Sequence, residues 1–294
     1  MNSRVTIVIP VYNEEDNIKS VVESLLDHSN NLIVINDQST DNTLNILHEL
    51  QSDYGNKILI IENAKNMGIG YSVKQGFLRA LEIENDIVIK FDGDNQHLAE
   101  DIPQFINKLI KEEFDFVKGN RFLNKEFSKP MPILKIIGNL ITTNLQKLVS
   151  GNYSISDPNN GFLAIKKSKL QLIDFKHLKN NYYFENSLLI NVSSLGLRIS
   201  EVPIRTIYAD EKSSIPIIRA GLTLIPTFIK FFYLRNILNA KFNLSINAIV
   251  FFVFLILLIL NLFINNQNIW IICIILFIIY LFIDVLNFSI NKNE

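Results

Sequence analysis

The sequence predicts an α/β protein built on a mainly parallel, doubly wound sheet, followed by an apolar helical hairpin. Three observations predict it. Between Val5 and Lys118, short β-branched runs alternate with helical repeats. Of 28 basic and 29 acidic side chains, only Asp284, Lys292 and Glu294 fall in residues 246–294. The single cysteine, Cys273, forms no intramolecular disulfide, so nothing in the chain asks for an oxidising compartment. The 294 residues suffice for one or two domains with a sizeable core. A net charge of -1 excludes a globally basic nucleic-acid binder and a strongly acidic tail protein.

Five runs read as buried strands: residues 5–9, 32–35, 58–61, 87–91 and 114–117. Between the first two, Ile18, Val21, Val22, Leu25 and Leu26 share one helix face. Asn13 is the expected N-cap of that helix, with Asp16 in its first turn favouring the dipole. Between the fourth and fifth runs, Ile102, Phe105, Ile106, Leu109 and Ile110 repeat the spacing, and Pro103 suits a first turn. Strand–helix alternation at this pitch implies parallel pairing. Ligands of such sheets bind beyond the carboxyl ends of the strands, so chemistry is expected just after each one.

Beyond the fifth run the alternation lapses. Residues 132–149 form an amphipathic helical pattern, and residues 118–150 carry Lys118, Arg121, Lys125, Lys129, Lys135 and Lys147 against one acid, Glu126. A second such stretch, residues 217–238, follows Lys212. Basic amphipathic helices beside a membrane span read as interfacial helices on anionic headgroups, and equally as core-facing helices with a solvated basic face. Residues 246–264 then give 19 residues interrupted only by Asn247 and Asn261. Residues 269–283, extendable to 290 past Asp284, give a second apolar run. A span needs about 20 apolar residues, and the polar connector 265–268 makes the pair an antiparallel hairpin. Lys230, Arg235, Lys241 and Lys292 flank it, which predicts two spans with both ends in the cytoplasm. The N-terminal apolar run, residues 5–10, is too short for a signal sequence, so the chain is expected to start in the cytosol. The expected division is a catalytic domain over 1–215, an interfacial segment over 216–243 and a hairpin over 244–290.

Three segments after predicted strands carry candidate chemistry: Pro10-Val11-Tyr12-Asn13-Glu14-Glu15, Asn36-Asp37-Gln38-Ser39-Thr40-Asp41, and Asp92-Gly93-Asp94-Asn95-Gln96-His97. The third is the most informative. Two carboxylates flanking one glycine can aim oxygen at one hard divalent cation, with Gln96 adding a neutral oxygen. Mg²⁺ or Mn²⁺ so held completes its shell with substrate phosphates. Elsewhere, Gly68, Gly70 and Gly76 read equally as ligand-loop glycines and as turn or helix-packing glycines. His97 reads as structural rather than as a base. Glu185 suits either a helix cap or the acceptor side, and Tyr208 either packing or a lid.

In order along residues 4–215, seven motifs resemble those of family 2 glycosyltransferases of the GT-A fold. They are IVIPVYNEE, VINDQSTDNT, NMGIGYSVKQG before an expected third helix, DGDNQH, GNRF, DPNNGF and EVPI. The resemblance is to the branch of dolichyl-phosphate mannose synthases and bacterial polyprenyl-phosphate sugar transferases, in which a two-span tail also occurs. It implies that Pro10, Tyr12, Asn13 and Glu14 line the nucleotide pocket and that Asp37 receives base or ribose. It implies Asp92, Asp94 and Gln96 for the metal, Arg121 for acceptor or donor phosphates, and Asp157 at the sugar. Lys212, just ahead of the second basic stretch, joins Arg121 as a candidate for the acceptor phosphate. Asn36 and Gln38 replace the commoner aspartate and glycine, which leaves the base, UDP or GDP type, open. The segment 205–214 departs from the mannose synthases, so mannose and dolichol do not follow.

The implied activity is inverting transfer of a sugar from a nucleotide diphosphate to a polyprenyl phosphate, at a membrane and without nucleic acid, with a homo-oligomer permitted. An acceptor phosphate is already anionic near neutral pH and needs little general-base help, although Asp157 is placed to orient it. Two other readings compete. A transferase acting on a cell-surface glycan or glycolipid would share every motif. A membrane-anchored binding protein on a degenerate fold would have lost the metal carboxylates, which are present. A sugar nucleotidyltransferase would open on a glycine- and arginine-rich phosphate loop, where residues 10–15 stand instead.

Overall fold

The computed structural model describes residues 3–128, 133–207, 232, 246–264 and 266–291. The chain divides into two compact units, Met1–Thr143 with Ser154–Ser214, and Asn144–Tyr153 with Ile215–Glu294. The first holds a seven-stranded sheet: β1 (Val5–Val11), β2 (Asn31–Asn36), β3 (Ile58–Glu62), β4 (Ile87–Lys90), β5 (Phe116–Asn120), β6 (Leu163–Lys166) and β7 (Ile199–Pro203). Its order is β3-β2-β1-β4-β6-β5-β7. Pairing is parallel except around β6, which runs antiparallel to both β4 and β5. The five expected strands are all present. β6 and β7 were not expected, because four residues after Asp-Pro-Asn-Asn-Gly and a run ending Glu-Val-Pro carry no strand periodicity. Pro203 fits the edge position of β7, where its missing N–H leaves no ladder bond unmade.

The chain leaves β1 toward β2 and β3, then returns to the other side of β1 with β4. Such a reversal opens a crevice at the carboxyl ends of the two central strands. Helices cover both faces. On one lie α1 (Ile18–Leu25), α2 (Thr43–Tyr54) and α4 (Ile102–Ile110), packed with Ile7, Ile9 and Val34. On the other lie α3 (Ile69–Glu82) and α8 (Phe184–Ser194), packed with Val8, Ile33 and Ile35. Alternation along β1 thus sends Ile7 and Ile9 to one core and Val8 to the other. Burial on both faces explains why these strands read as continuous apolar runs. Gly76 is a packing glycine: a Cβ there would strike Val8 and Ile35, so the bare backbone lets α3 sit against the sheet.

Asn13 does not cap α1. The helix begins at Ile18, and the Glu14 carbonyl accepts from the Asn17 and Ile18 N–H groups. Asn13 instead adopts φ +55°, a left-handed turn that asparagine tolerates. The glycine-rich segment 66–76 does not precede α3 but runs into it, since the helix starts at Ile69.

Short helices α5 (Lys125–Ser128) and α7 (Lys167–Leu170) flank the longer α6 (Ile133–Ser150). The polarity of α6 is inverted. Asn139, Thr142 and Thr143 are buried, whereas Ile137, Leu140 and Ile141 are 48 %, 62 % and 57 % exposed. The buried amides and hydroxyls are satisfied by the loop before β6. Asn139 Nδ2 and Thr143 Oγ1 donate to the Ser156 carbonyl, and Asn159 Nδ2 donates to Asn139 Oδ1 and Thr142 Oγ1.

In the second unit, α9 (Ile246–Ile264) and α10 (Gln267–Asn291) pack together. Phe251 meets Tyr280 and Phe254 meets Phe277, which makes the pair antiparallel. Asn261 Oδ1 accepts from the Asn266 N–H at the turn, and the Tyr153 hydroxyl donates to Asp284 Oδ2 at 3.0 Å. Among the described residues, one helix is long and apolar enough to cross a membrane, at Gln267–Leu286, with 17 % of its apolar window buried. The apolar run of α9, Ile249–Asn261, is shorter, and one crossing rather than the expected two is met by length and composition among the described residues. Apart from residue 232, the basic stretch 216–243 lies outside the described residues, as do Lys212 and Tyr208.

Candidate active site

The loops after β1 and β2 are stitched together at one rim of the crevice. The Asn13 N–H donates to Ser39 Oγ, and Asn13 Oδ1 accepts from the Thr40 N–H at 2.7 Å. The Glu14 N–H donates to Thr43 Oγ1, and Glu14 Oε2 accepts from Asn17 Nδ2. Pro10 is buried at the end of β1, while Tyr12 projects, 44 % exposed. Asp37 is nearly buried and heavily engaged. Its Oδ1 accepts from Asn63 Nδ2 (2.6 Å) and the Met67 N–H (2.8 Å), and its Oδ2 accepts from the Gly68 N–H (2.8 Å). Asp37 therefore anchors the 63–68 loop, a duty its motif did not reveal. Gly68, at φ +89°, turns that loop into α3.

The Asp92–His97 loop follows β4 and rests on β1: a Cβ on Gly93 would come within 2.7 Å of Val11 Cγ1. Asp92 is held on both oxygens. Lys90 Nζ donates to Oδ1 at 2.5 Å, and His97 Nε2 lies 3.1 Å from Oδ2. Lys90 is fully buried and donates also to Glu185 Oε1, at 3.0 Å, in the first turn of α8. Burial disfavours the Lys90 ammonium, but Asp92 and Glu185 outweigh it and hold the pKa above the usual lysine value. Burial likewise works against an ionised Asp92, yet Lys90 and His97 bring its pKa below the usual range. Asp94 behaves oppositely: burial and the Asp92 charge raise it. Its Oδ1 accepts from the Gln96 N–H at 3.1 Å. Two acids and one amide on one loop fit a hard divalent cation that completes its shell from a ligand. Among the described residues no group of three or more acidic, His or Cys side chains is placed to hold a metal ion.

Beyond β5, Arg121 clasps Asp157, Nε to Oδ2 at 2.7 Å and Nη2 to Oδ1 at 2.8 Å. Asp157 is fully buried and Arg121 partly so, and the two-point contact fixes the geometry of the pair. Glu201 on β7 holds both partners' loops. Its Oε1 accepts from the Ser156 and Asp157 N–H groups, and its Oε2 from Asn120 Nδ2, one residue before Arg121. Burial raises the Glu201 pKa. Lys118 on β5 donates to the Asn160 carbonyl, and burial pushes its pKa down to about 8.

A family model described as glycosyl transferase family 2 matches residues 6–173, more than half of the chain. The chain belongs to that family. A Methanococcus voltae protein named UDP-N-acetylglucosamine–dolichyl-phosphate N-acetylglucosaminyltransferase is 34 % identical over 216 residues, covering 69 % of this chain and 86 % of its own. A Trichomonas vaginalis dolichyl-phosphate beta-glucosyltransferase is 26 % identical over 217 residues, covering 68 % and 64 %. Among solved structures, glucosyl-3-phosphoglycerate synthase from Mycobacterium tuberculosis, crystallised with Mn²⁺, UDP-glucose and phosphoglyceric acid, superposes with a TM-score of 0.55 over 80 % of both chains. At 19 % identity that similarity shows the fold, an α/β GT-A-like architecture.

For this family 2 glycosyltransferase, the structure gathers the predicted residues into two groups. Asp92, Asp94 and Gln96 share one loop beside Pro10, while Arg121 and Asp157 form an ion pair beyond β5. Tyr12, Asn13 and Glu14 line the rim, and Asp37 lies beneath it. Lys90, Lys118 and Glu201 were not among the predicted site residues. Lys90 and Lys118 are charged residues within buried strands, and that incongruity is the signal that singles them out; Glu201, on the edge strand β7, carries no such signal. Glu185 neither caps α8 by hydrogen bond nor stands free; it holds Lys90. His97 is structural, packed on Phe91 and Phe162 and tied to Asp92.

Proposed function

We propose that this glycosyltransferase moves a sugar from a UDP-type nucleotide donor to a polyprenyl phosphate at the cytoplasmic surface of a membrane. The observation that carries the donor half is the Asp92-Gly93-Asp94 loop, which follows β4 and rests on Pro10 and Val11 at the end of β1. Asp92, Asp94 and Gln96 would hold Mg²⁺ or Mn²⁺ there, which supplies positive charge against the departing diphosphate. Pro10, Tyr12, Asn13 and Glu14 would form the wall for the nucleotide, with Asp37 fixing the loop beneath it. We assign Arg121, and Lys212 of the segment beyond the described residues, to the phosphates. Asp157 orients Arg121 through its two-point contact rather than taking a proton, because its carboxylate is already spent on a guanidinium. An acceptor phosphate needs no strong base, and direct attack on the sugar inverts its anomeric carbon.

The lipid half rests on the two dolichyl-phosphate transferases among the relatives, on the apolar helix Gln267–Leu286 and on the outward apolar face of α6. We place α9 and α10 as two crossings, α9 being completed by residues outside its apolar run. Purified full-length enzyme should transfer from a UDP-sugar to undecaprenyl phosphate only with Mg²⁺ or Mn²⁺ present. Asp94→Ala should lower kcat/KM at least about 100-fold, the upper end of what losing a group behind a metal ligand costs. Unchanged turnover in that variant, or transfer to soluble glycans alone, would overturn the proposal.

A further inference from the structure

Lys90 is the last residue of β4 and has no solvent-exposed surface, an improbable place for a lysine unless its charge is matched. It is matched twice, by Asp92 Oδ1 at 2.5 Å and by Glu185 Oε1 at 3.0 Å. The two carboxylates come from elements far apart in sequence, and the ammonium bridges them. The wall that closes over this bridge is Gly161. A Cβ there would collide with Asp92 Oδ2 and come within 2.5 Å of Lys90 Nζ, so a larger residue would push both side-chain ends out of place. With His97 on the second oxygen, Asp92 has its rotamer fixed before any cation arrives.

We propose that Lys90 is a positioning residue for the metal site: bridged to Glu185, it fixes the Asp92 carboxylate in one orientation. This rests on the metal-dependent reading of the site given above. Groups that orient metal-binding side chains are worth about 10- to 100-fold in metal affinity. Lys90 would act there through Asp92 and not on the nucleotide.

Removing Lys90 alone leaves Asp92 and Glu185 facing each other, which threatens the fold. The test therefore uses the charge-neutral double variant Lys90→Met/Glu185→Gln, with Glu185→Gln alone beside it. Mn²⁺ binding to detergent-purified, full-length enzyme is measured by the loss of the free-ion electron paramagnetic resonance signal, with and without UDP. Metal-free UDP binding and melting temperature are followed in parallel. The double variant should bind Mn²⁺ about tenfold more weakly with metal-free UDP binding unchanged. Glu185→Gln, which keeps an amide oxygen for Lys90, should lose about threefold at most. Three results would each overturn the proposal: Mn²⁺ affinity unaltered in the double variant, an equal loss in both variants, or UDP binding and melting temperature falling together with Mn²⁺ affinity. Asp94→Ala separates the two readings, since its failure to affect turnover would strike the metal site itself rather than Lys90.

Discussion

Lys118 shows how much a single side chain can cost a fold and still be kept. Its ammonium is buried against the Asn160 carbonyl, and burial brings its pKa from the ordinary 10.5 down to about 8, with Glu185, Asp157 and Glu201 opposing. Between those two values the unfolded chain holds the proton more tightly than the folded one. Stability therefore rises with pH across that window; the penalty is whole below it and gone above it. Thermal melts should show wild type gaining on Lys118→Met by about 3 kcal/mol between pH 8 and pH 10.5. A flat difference would mean that Lys118 is already neutral or already paired. Residues whose chemistry lies in a contiguous loop, such as Asp92, Asp94 and Gln96, are legible in the sequence because spacing alone brings them together. Lys90, Lys118 and Glu201 are not, because their partners sit on other strands and helices. Asp37 is legible as important, but its use on the 63–68 loop is not.

Among the elements, α6 repays the closest reading. Its apolar periodicity predicts a helix, and one forms at Ile133–Ser150. Which face turns inward is a separate matter, decided by the polar loop 156–159, which offers amide and carbonyl partners to Asn139, Thr142 and Thr143. Buried polar groups must find such partners, and once they do, the apolar side is left outward. An outward face of Ile137, Leu140 and Ile141 suits a lipid surface. Leu140→Glu combined with Ile141→Glu should raise KM for a membrane-embedded polyprenyl phosphate about tenfold, from lost apolar burial. KM for a short, water-soluble acceptor and the melting temperature should stay put. A melting temperature several degrees lower would instead show that protein covers the face. Four of the first five strands are legible because both their faces are buried, and the edge strand β3 because its run is continuously apolar up to Glu62. β6 and β7 are not, because a four-residue antiparallel insert and a proline-ended edge strand have too little pattern to stand out.

At the scale of the whole molecule, two compositions meet in one chain: a charged α/β domain and a nearly chargeless helical pair. The proposed two crossings put the turn at Asn266 on the far side of the membrane from the catalytic domain. In a Cys273→Ser background, Asn266→Cys in intact cells should react with a membrane-impermeant maleimide, and Ser24→Cys should not. Labelling of both, or of neither, would reject the two-span topology. The sequence by itself determined the α/β class, the order of the loops that carry chemistry, and where the apolar tail begins. Those properties are local, written in periodicity, spacing and charge along the chain. Only the tertiary structure decided the antiparallel place of β6, the inverted face of α6 and the Asp92–Lys90–Glu185 bridge. Each of these joins groups distant in sequence, and which distant groups meet is set by the packing of the sheet and its helices, which no local pattern records.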